Sequence, residues 1–166
     1  MLNFLKMNSK LTLNILFCFI FTVASAQFQN SKNLPFTWKT DTLKSSVDLS
    51  EIQIVLPKGS FPTLDKPKFV GKSEGLKMFF AKEPVIAIEI NGSAKAYPLN
   101  ILTMHEIAND ELEGIPILVT YCPLCNSGLV FNRILNHNGK DITLEFEASG
   151  MLSKSNMVML DRQTET

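Results

Sequence analysis

Two cysteines stand two residues apart in the segment Cys122-Pro-Leu-Cys125. As thiol and disulfide, such a pair can exchange with other proteins, and as two thiolates it can bind a soft metal ion from one tight turn. As a closed disulfide, it can simply fasten the turn. The spacing therefore predicts chemistry at this turn, and the neighbouring elements have to select among the three uses.

The segments on either side of the cysteines predict two strands. Residues 115–121 read IPILVTY, a nearly continuous apolar run that is typical of a buried strand. In a thioredoxin-like site a long helix begins at the motif, and its N-terminus stabilises the thiolate. Here Gly128 and the β-forming residues 129–134 follow instead. This context favours a turn between two strands, as in a metal knuckle.

Three further side chains are candidates to complete a site with the cysteines. A tetrahedral metal site needs four ligands, and the chain has no second closely spaced cysteine pair, so His105, Glu106 or His137 would have to contribute. Glu106 is about 100° further round a helix than His105 and does not share its face. His137 lies in the predicted turn 136–139, where we expect it to be solvated. His105 is therefore the preferred partner.

A helix is predicted over residues 100–110, and it would position His105. One face of this helix carries apolar side chains next to the histidine, namely Ile101, Met104 and Ala108. The strand 115–121 follows after a short connection and should pack beside the helix, which brings the cysteines back toward His105. A histidine on an apolar face is also commonly a hydrogen-bonded core residue, and that alternative stays open.

Three functional hypotheses follow, and none of them names a reaction or settles whether the protein is an enzyme. The first is a metal-binding or catalytic site built from Cys122, Cys125 and His105, with zinc or copper(I) as the preferred metal. The second is a thiol–disulfide exchange protein in which Cys122 is exposed and Cys125 is the resolving thiol. The third is a non-enzymatic module with a structural disulfide.

The first 26 residues predict a signal peptide. Lys6 and Lys10 precede an apolar run of about 13 residues, and Ala24-Ser-Ala26 is the small-residue pattern of a cleavage site. The run is shorter than the ~20 residues of a membrane span. We therefore expect a secreted or periplasmic protein that keeps no stable membrane span and whose two remaining cysteines meet oxidising conditions.

The rest of the chain predicts short elements. Residues 27–48 are polar and are interpreted as an N-terminal arm, whereas frequent Pro and Gly make residues 52–80 rich in loops. Asn91-Gly92 lies between β-forming runs and predicts a hairpin. Residues 141–147, in which apolar and acidic side chains alternate, and the short apolar run 157–160 predict two more strands. The remaining polar or sulfur-containing candidates are interpreted as solvated helix-end carboxylates (Asp110, Glu111, Glu113) and as core methionines (Met157, Met159).

Composition limits the class of protein. The chain has 166 residues, of which 45% are hydrophobic, with 16 basic and 16 acidic side chains. An apolar content of this size excludes a disordered chain, and the balanced charge argues against a nucleic-acid binder. We predict a single domain over residues 49–166 of the α+β class, mainly antiparallel sheet with one short helix near residues 100–110.

Many short motifs along the chain resemble those of one family, domain-of-unknown-function family 3179, over a match from about Leu49 to the C-terminus. The motifs are Glu83-Pro-Val-Ile, Asn91-Gly, Ala96-Tyr-Pro-Leu, Ile101-Leu, His105-Glu-Ile, Asn109-Asp, Val119-Thr-Tyr-Cys-Pro-Leu-Cys125, Val130-Phe-Asn-Arg133, Ser149-Gly and Val158-Met-Leu-Asp-Arg162-Gln-Thr.

The resemblance implies a shared fold, a shared Tyr-Cys-Pro-Leu-Cys centre and a secreted or periplasmic location in a prokaryote. It implies no activity, since none is assigned to the family. Met104 stands where the family usually has Trp, which would loosen the packing around His105. The family also continues beyond Thr164 into a segment rich in Leu, Trp and Gln, so we expect this domain to be incomplete at its C-terminus.

Overall fold

Antiparallel pairing dominates the sheets of the computed structural model, which describes residues 29–30, 39 and 41–165. The strands are β1 (Gln29–Asn30), β2 (Ile52–Ile54), β3 (Leu64–Asp65), β4 (Val85–Ile90), β5 (Ser93–Pro98), β6 (Ile107–Leu112), β7 (Ile115–Cys122), β8 (Ser127–Asn132), β9 (Ile134–His137), β10 (Lys140–Thr143), β11 (Phe146–Ser153) and β12 (Asn156–Asp161). The helices are α1 (Lys72–Met78) and α2 (Leu99–Leu102), and single 3₁₀ turns lie at Thr42–Lys44 and Leu49–Glu51.

The cysteines belong to a four-stranded sheet with the strand order β3-β6-β7-β8. Strands β6 and β7 form a hairpin whose turn residues, Glu113 and Gly114, have φ angles of 51° and 75°. Two positive φ angles are typical of the two-residue turns that match the twist of a hairpin. Strands β7 and β8 form the next hairpin, and their last pair is Cys122 with Ser127. The Cys-Pro-Leu-Cys segment is therefore the connection between two paired strands.

A second sheet with the order β1-β2-β11-β12 packs against one face of the first. Its longest strand, β11, has a bulge between Ala148 and Met151, where Gly150 has a φ of 77°. A Cβ atom on Gly150 would lie 2.2 Å from the carbonyl oxygen of Leu56. Only glycine permits so close an approach of Leu56 to β11. The chain around Leu56 therefore lies directly against the bulge.

Strands β6 and β7 are buried on both faces. Ile107 and Leu118 pack toward the second sheet, whereas Ala108 and Val119 pack in the cluster that contains Tyr97 of the β4–β5 hairpin. Alternate residues of a strand point to opposite faces, so neighbours such as Ile107 and Ala108 are both fully buried. This hairpin is the centre of the structure, and it sets the position of the cysteine turn.

A buried polar network ties the β4–β5 hairpin to β6. Asp110 is 4% exposed, and its carboxylate accepts hydrogen bonds from the Tyr97 hydroxyl and the Lys95 ammonium, both at 2.7 Å. Burial and the hydrogen bond to Asp110 raise the pKa of Tyr97 above its ordinary value. The interpretation of Asp110 as a solvated helix-end carboxylate is therefore wrong, because Asp110 lies inside a strand that is covered on both sides.

The helix predicted over residues 100–110 is also wrong beyond its first turn. Helix α2 ends at Leu102, and residues 107–112 form strand β6. The predicted apolar face does not exist, since Ile101 is 40% and Met104 is 66% exposed. Pairing with the strongly β-forming strand β7 overrides the local pattern, because it buries both faces of β6 at once.

Other local predictions are confirmed. The hairpin at Asn91-Gly92 joins β4 to β5, with φ angles of 52° and 82° at the two turn residues. The fold class is confirmed as mainly antiparallel β with few helices, although residues 52–80, interpreted as loops, contain helix α1. None of the helices in the described part of the chain has the length and hydropathy that a membrane span requires. The predicted signal peptide lies outside the described residues.

Candidate functional site

The cysteine turn is closed by a disulfide bond between Cys122 and Cys125. The backbone N–H of Cys125 points back into the turn, where it lies 3.2 Å from both the carbonyl oxygen and the Sγ atom of Cys122. Asn126 follows with a φ of 47°, which turns the chain into β8. An N–H that points at a sulfur stabilises negative charge on it. The turn therefore positions a hydrogen-bond donor, the N–H of Cys125, beside Sγ of Cys122 before any reaction takes place.

The two sulfur-bearing residues differ in their access to solvent. Cys122 is 3% exposed, whereas Cys125 is half-buried and follows Leu124, which is 67% exposed at the tip of the turn. The expectation of an exposed Cys122 is therefore wrong. Strand β7 ends with Cys122 while still covered by the second sheet, and only the turn beyond it reaches the surface.

Gly128 positions the strand that follows the turn. A Cβ atom at Gly128 would lie 2.5 Å from Cδ1 of Ile86 in β4 and 3.2 Å from the carbonyl oxygen of Thr120. The absence of a side chain lets the β4–β5 hairpin pack directly against β8. The glycine that argued against a helix in the sequence thus has a packing role beside the site.

A small cleft lies between β8 and β12 on the side of the sheet that carries the Cys122 side chain. Its volume is about 170 Å³, and its wall is formed by Thr120, Cys122, Ser127, Leu129, Phe131, Asn156, Met157 and Met159. No lining residue is charged. Met157 and Met159 also pack against the core cluster of Ile107 and Leu118, which confirms their interpretation as core residues.

His105 lies in the turn between α2 and β6, and it is half-buried. Its Nδ1 atom is 2.6 Å from the carbonyl oxygen of Pro62. A carbonyl oxygen only accepts, so Nδ1 carries the hydrogen and Nε2 keeps a lone pair. A hydrogen bond of this kind fixes the orientation of the ring, as it does for structural histidines and for metal ligands alike.

Glu106, which the sequence analysis set aside because it would not share a helix face with His105, is a buried residue next to the site. It is 5% exposed and has a φ of 58°, which is uncommon for a residue with a side chain. Burial raises the pKa of Glu106 to about 7, and no hydrogen bond or charge among the described residues offsets this. Its carbonyl oxygen accepts a 2.8 Å hydrogen bond from the N–H of Tyr121, the residue before Cys122.

The sequence contains part of the information that places Glu106 opposite Tyr121. Glu113-Gly114 directly before the apolar run 115–121 is compatible with a hairpin turn, and extending the pairing of that hairpin places residue 106 opposite residue 121. The left-handed conformation of Glu106 has no such signal, because the residue type does not favour it.

The structure does not assemble a metal centre from the candidate residues. Within the described ranges, no group of three or more His, Cys, Asp or Glu side chains is arranged to hold a metal ion. Both cysteine sulfurs are engaged in the disulfide, and a bonded sulfur has no thiolate to donate. His137 is exposed at the end of β9, where its Nε2 atom contacts the Asn138 amide at 3.0 Å. A metal site would need the reduced chain.

The comparisons with known proteins agree with the motif pattern. The family model described as "Protein of unknown function (DUF3179)" matches residues 58–166. Neither a curated protein nor a solved structure matches the chain.

Proposed function

The chain belongs to the DUF3179 family of proteins of unknown function, and we propose that it exchanges thiols and disulfides through Cys122 and Cys125. One observation carries the proposal. The disulfide joins a buried sulfur to a more accessible one at a surface turn, and a backbone N–H lies 3.2 Å from the buried sulfur. This asymmetry assigns different roles to the two cysteines.

The exchange reaction has two balanced steps. A partner thiolate attacks Sγ of Cys125, a bond forms between the two sulfurs, and the bond to Cys122 breaks. The electron pair of the broken bond goes to Sγ of Cys122, where the N–H of Cys125 stabilises the leaving thiolate. In the reduced chain, the thiolate of Cys125 attacks a partner disulfide and releases one partner thiolate, and Cys122 then attacks Sγ of Cys125 and releases the other partner thiolate. Cys125 is thus the interchange cysteine, and Cys122 is the resolving one.

A purely structural role is the weaker explanation of this bond. The two cysteines are only three positions apart, so the bond closes a very short loop and restricts the unfolded chain little. The paired strands β7 and β8 already hold the ends of the turn together. Export to an oxidising compartment, as the predicted signal peptide implies, would keep the pair in its disulfide form between exchange events.

The proposal is tested by equilibrating the chain with defined ratios of reduced and oxidised glutathione, followed by acid quench and thiol mass tagging. We expect a reduction potential above about −300 mV, since structural disulfides lie below that value. The variant Cys122→Ser should accumulate a mixed disulfide of glutathione with Cys125, because the resolving thiol is absent. The matched variant Cys125→Ser should accumulate little. A potential below that limit without a trapped species would instead assign a structural disulfide in a non-enzymatic module.

A metal site in the reduced chain is the second candidate, and it rests on the ring orientation that the contact of His105 with Pro62 fixes. The 2.6 Å hydrogen bond orients the ring and leaves Nε2 free to bind a metal together with the two thiolates. Zinc or copper(I) would suit this ligand set. The test is metal analysis by mass spectrometry of the anaerobically reduced chain after reconstitution. Binding of about one equivalent that is lost in His105→Ala supports the site, and less than about a tenth of an equivalent overturns it.

A further inference from the structure

The cleft beside Cys122 has the properties of a binding site for a polypeptide. Strand β8 is the last strand of its sheet, and within the described residues it pairs only with β7. An edge strand of this kind presents unpaired N–H and C=O groups that can hydrogen-bond to an extended segment. Strand β12, on the other side of the cleft, is likewise at the edge of its sheet.

The side chains along β8 indicate what kind of segment would fit. Leu129 and Phe131 are two positions apart on one face of the strand, and they are 59% and 41% exposed. Side chains at alternate positions of an added strand would meet them. Since no charged residue lines the cleft, a segment with apolar, uncharged side chains is favoured over a charged one.

The size and position of the cleft connect it to the disulfide. A volume of about 170 Å³ is below the roughly 300–1,000 Å³ of most small-molecule sites, and it suits individual side chains of a bound segment. Cys122 is part of the wall, and β8 begins two residues after Cys125. A segment that lies along β8 therefore ends beside the cysteine turn, on the side where Cys122 lines the cleft.

We propose that the cleft between β8 and β12 binds an extended polypeptide segment with apolar side chains and presents a cysteine of that segment to Cys125. This inference rests on the exchange reaction proposed above, and it names the substrate class as a cysteine-containing polypeptide rather than a small thiol. Hydrogen bonds to the edge strand supply affinity for any sequence, and Leu129 and Phe131 supply the preference for apolar neighbours of the cysteine.

The test compares rates of mixed-disulfide formation between the oxidised chain and two peptides of equal length. Each peptide has one cysteine, flanked at alternate positions by Val and Leu in one and by Ser and Asp in the other. We expect the apolar peptide to react at least about tenfold faster than the polar one, a modest preference that corresponds to ~1.4 kcal/mol. Glutathione serves as the small-thiol reference in every measurement.

Two variants test whether the preference for the apolar peptide depends on the side chains of the cleft. Leu129→Ser with Phe131→Ser should lower the rate of the apolar peptide relative to glutathione by at least about tenfold. The matched control is Leu135→Ser, which changes a leucine that is 47% exposed on β9, outside the cleft wall. This control should keep the wild-type ratio.

The outcomes separate the two proposals. If glutathione and both peptides fail to react, the exchange function fails, and the substrate assignment fails with it. If glutathione reacts and the two peptides react equally, only the substrate assignment is overturned. A concentration-dependent dimer in sedimentation equilibrium that Leu129→Ser with Phe131→Ser abolishes would also overturn it, because the occupant of the cleft would then be a second copy of this chain.

Discussion

The backbone N–H of Cys125 lies 3.2 Å from Sγ of Cys122, inside the four-residue turn that the two cysteines close. The donor belongs to the accessible cysteine, and the acceptor is the buried sulfur. Attack of a thiolate on Sγ of Cys125 therefore produces the new negative charge on Sγ of Cys122, where a hydrogen-bond donor is already in place. This geometry favours attack on Sγ of Cys125 over attack on Sγ of Cys122.

After reduction, Cys125 should be alkylated faster than Cys122. Access to the reagent dominates the difference, because Cys122 is 3% exposed and can react only when the turn opens. We expect a rate ratio of at least about ten, measured by mass spectrometry of peptides after short exposure to iodoacetamide. Equal rates in native buffer would contradict the assignment of roles, and equal rates in denaturant are the control.

Removal of the disulfide should lower stability only modestly. The loop-entropy estimate for so short a loop is on the order of 2 kcal/mol. We therefore expect Cys122→Ala with Cys125→Ala to lose at most about 2 kcal/mol of unfolding free energy, with an unchanged denaturant slope. Urea titration followed by circular dichroism measures both quantities. Loss of the folded state would show that the bond is a necessary staple.

The buried carboxyl of Glu106 should make stability depend on pH. Its pKa is about 7 in the folded chain against an ordinary value of 4.5, so the folded state binds the proton more tightly. Its contribution to the unfolding free energy is therefore highest below pH 4.5 and falls as the pH rises to about 7. Glu106→Gln should remove this decrease, and it should be more stable than wild type by roughly 1–3 kcal/mol at pH 8.

The control for Glu106→Gln is Glu111→Gln, which changes an exposed carboxylate at the other end of the same strand. Both variants and the wild type are compared by urea unfolding at pH 4 and pH 8. Near pH 4, the side chain at position 106 is neutral in the folded wild type and in the folded variant. We therefore expect no difference in unfolding free energy between them at that pH. A gain for Glu106→Gln that is equal at both pH values would exclude proton binding as its cause.

Asp110→Ala should be strongly destabilising. It leaves the hydroxyl of Tyr97, a residue that is 3% exposed, without its acceptor, and the ammonium of Lys95 without its carboxylate partner. Loss of one member of such a network costs roughly 2–4 kcal/mol. Thermal and urea unfolding measure the effect. Glu111→Ala, which removes an exposed carboxylate from the same strand, should stay within about 0.5 kcal/mol of wild type.

The error at residues 100–110 shows where the sequence pattern is insufficient. Ile101, Met104 and Ala108 have a helical spacing, but Ile107 and Ala108 are both fully buried. A strand covered on both faces has no period of two, and therefore its apolar residues can imitate a helix over a few positions. The turn at Glu113-Gly114 and the apolar run after it were the better indication, because together they form a hairpin.

The sequence by itself determined the family to which the chain belongs. It also determined those elements that follow from a local pattern of residues. Asn91-Gly92 adopts the positive φ angles that such a turn requires, the apolar run 115–121 forms β7, and the cysteine spacing permits a disulfide. Only the tertiary structure decided which sulfur is accessible, that Glu106 is buried, and that His105 contacts the carbonyl oxygen of Pro62. These properties depend on what distant strands cover, and burial of this kind arises from pairings between segments that no local pattern records.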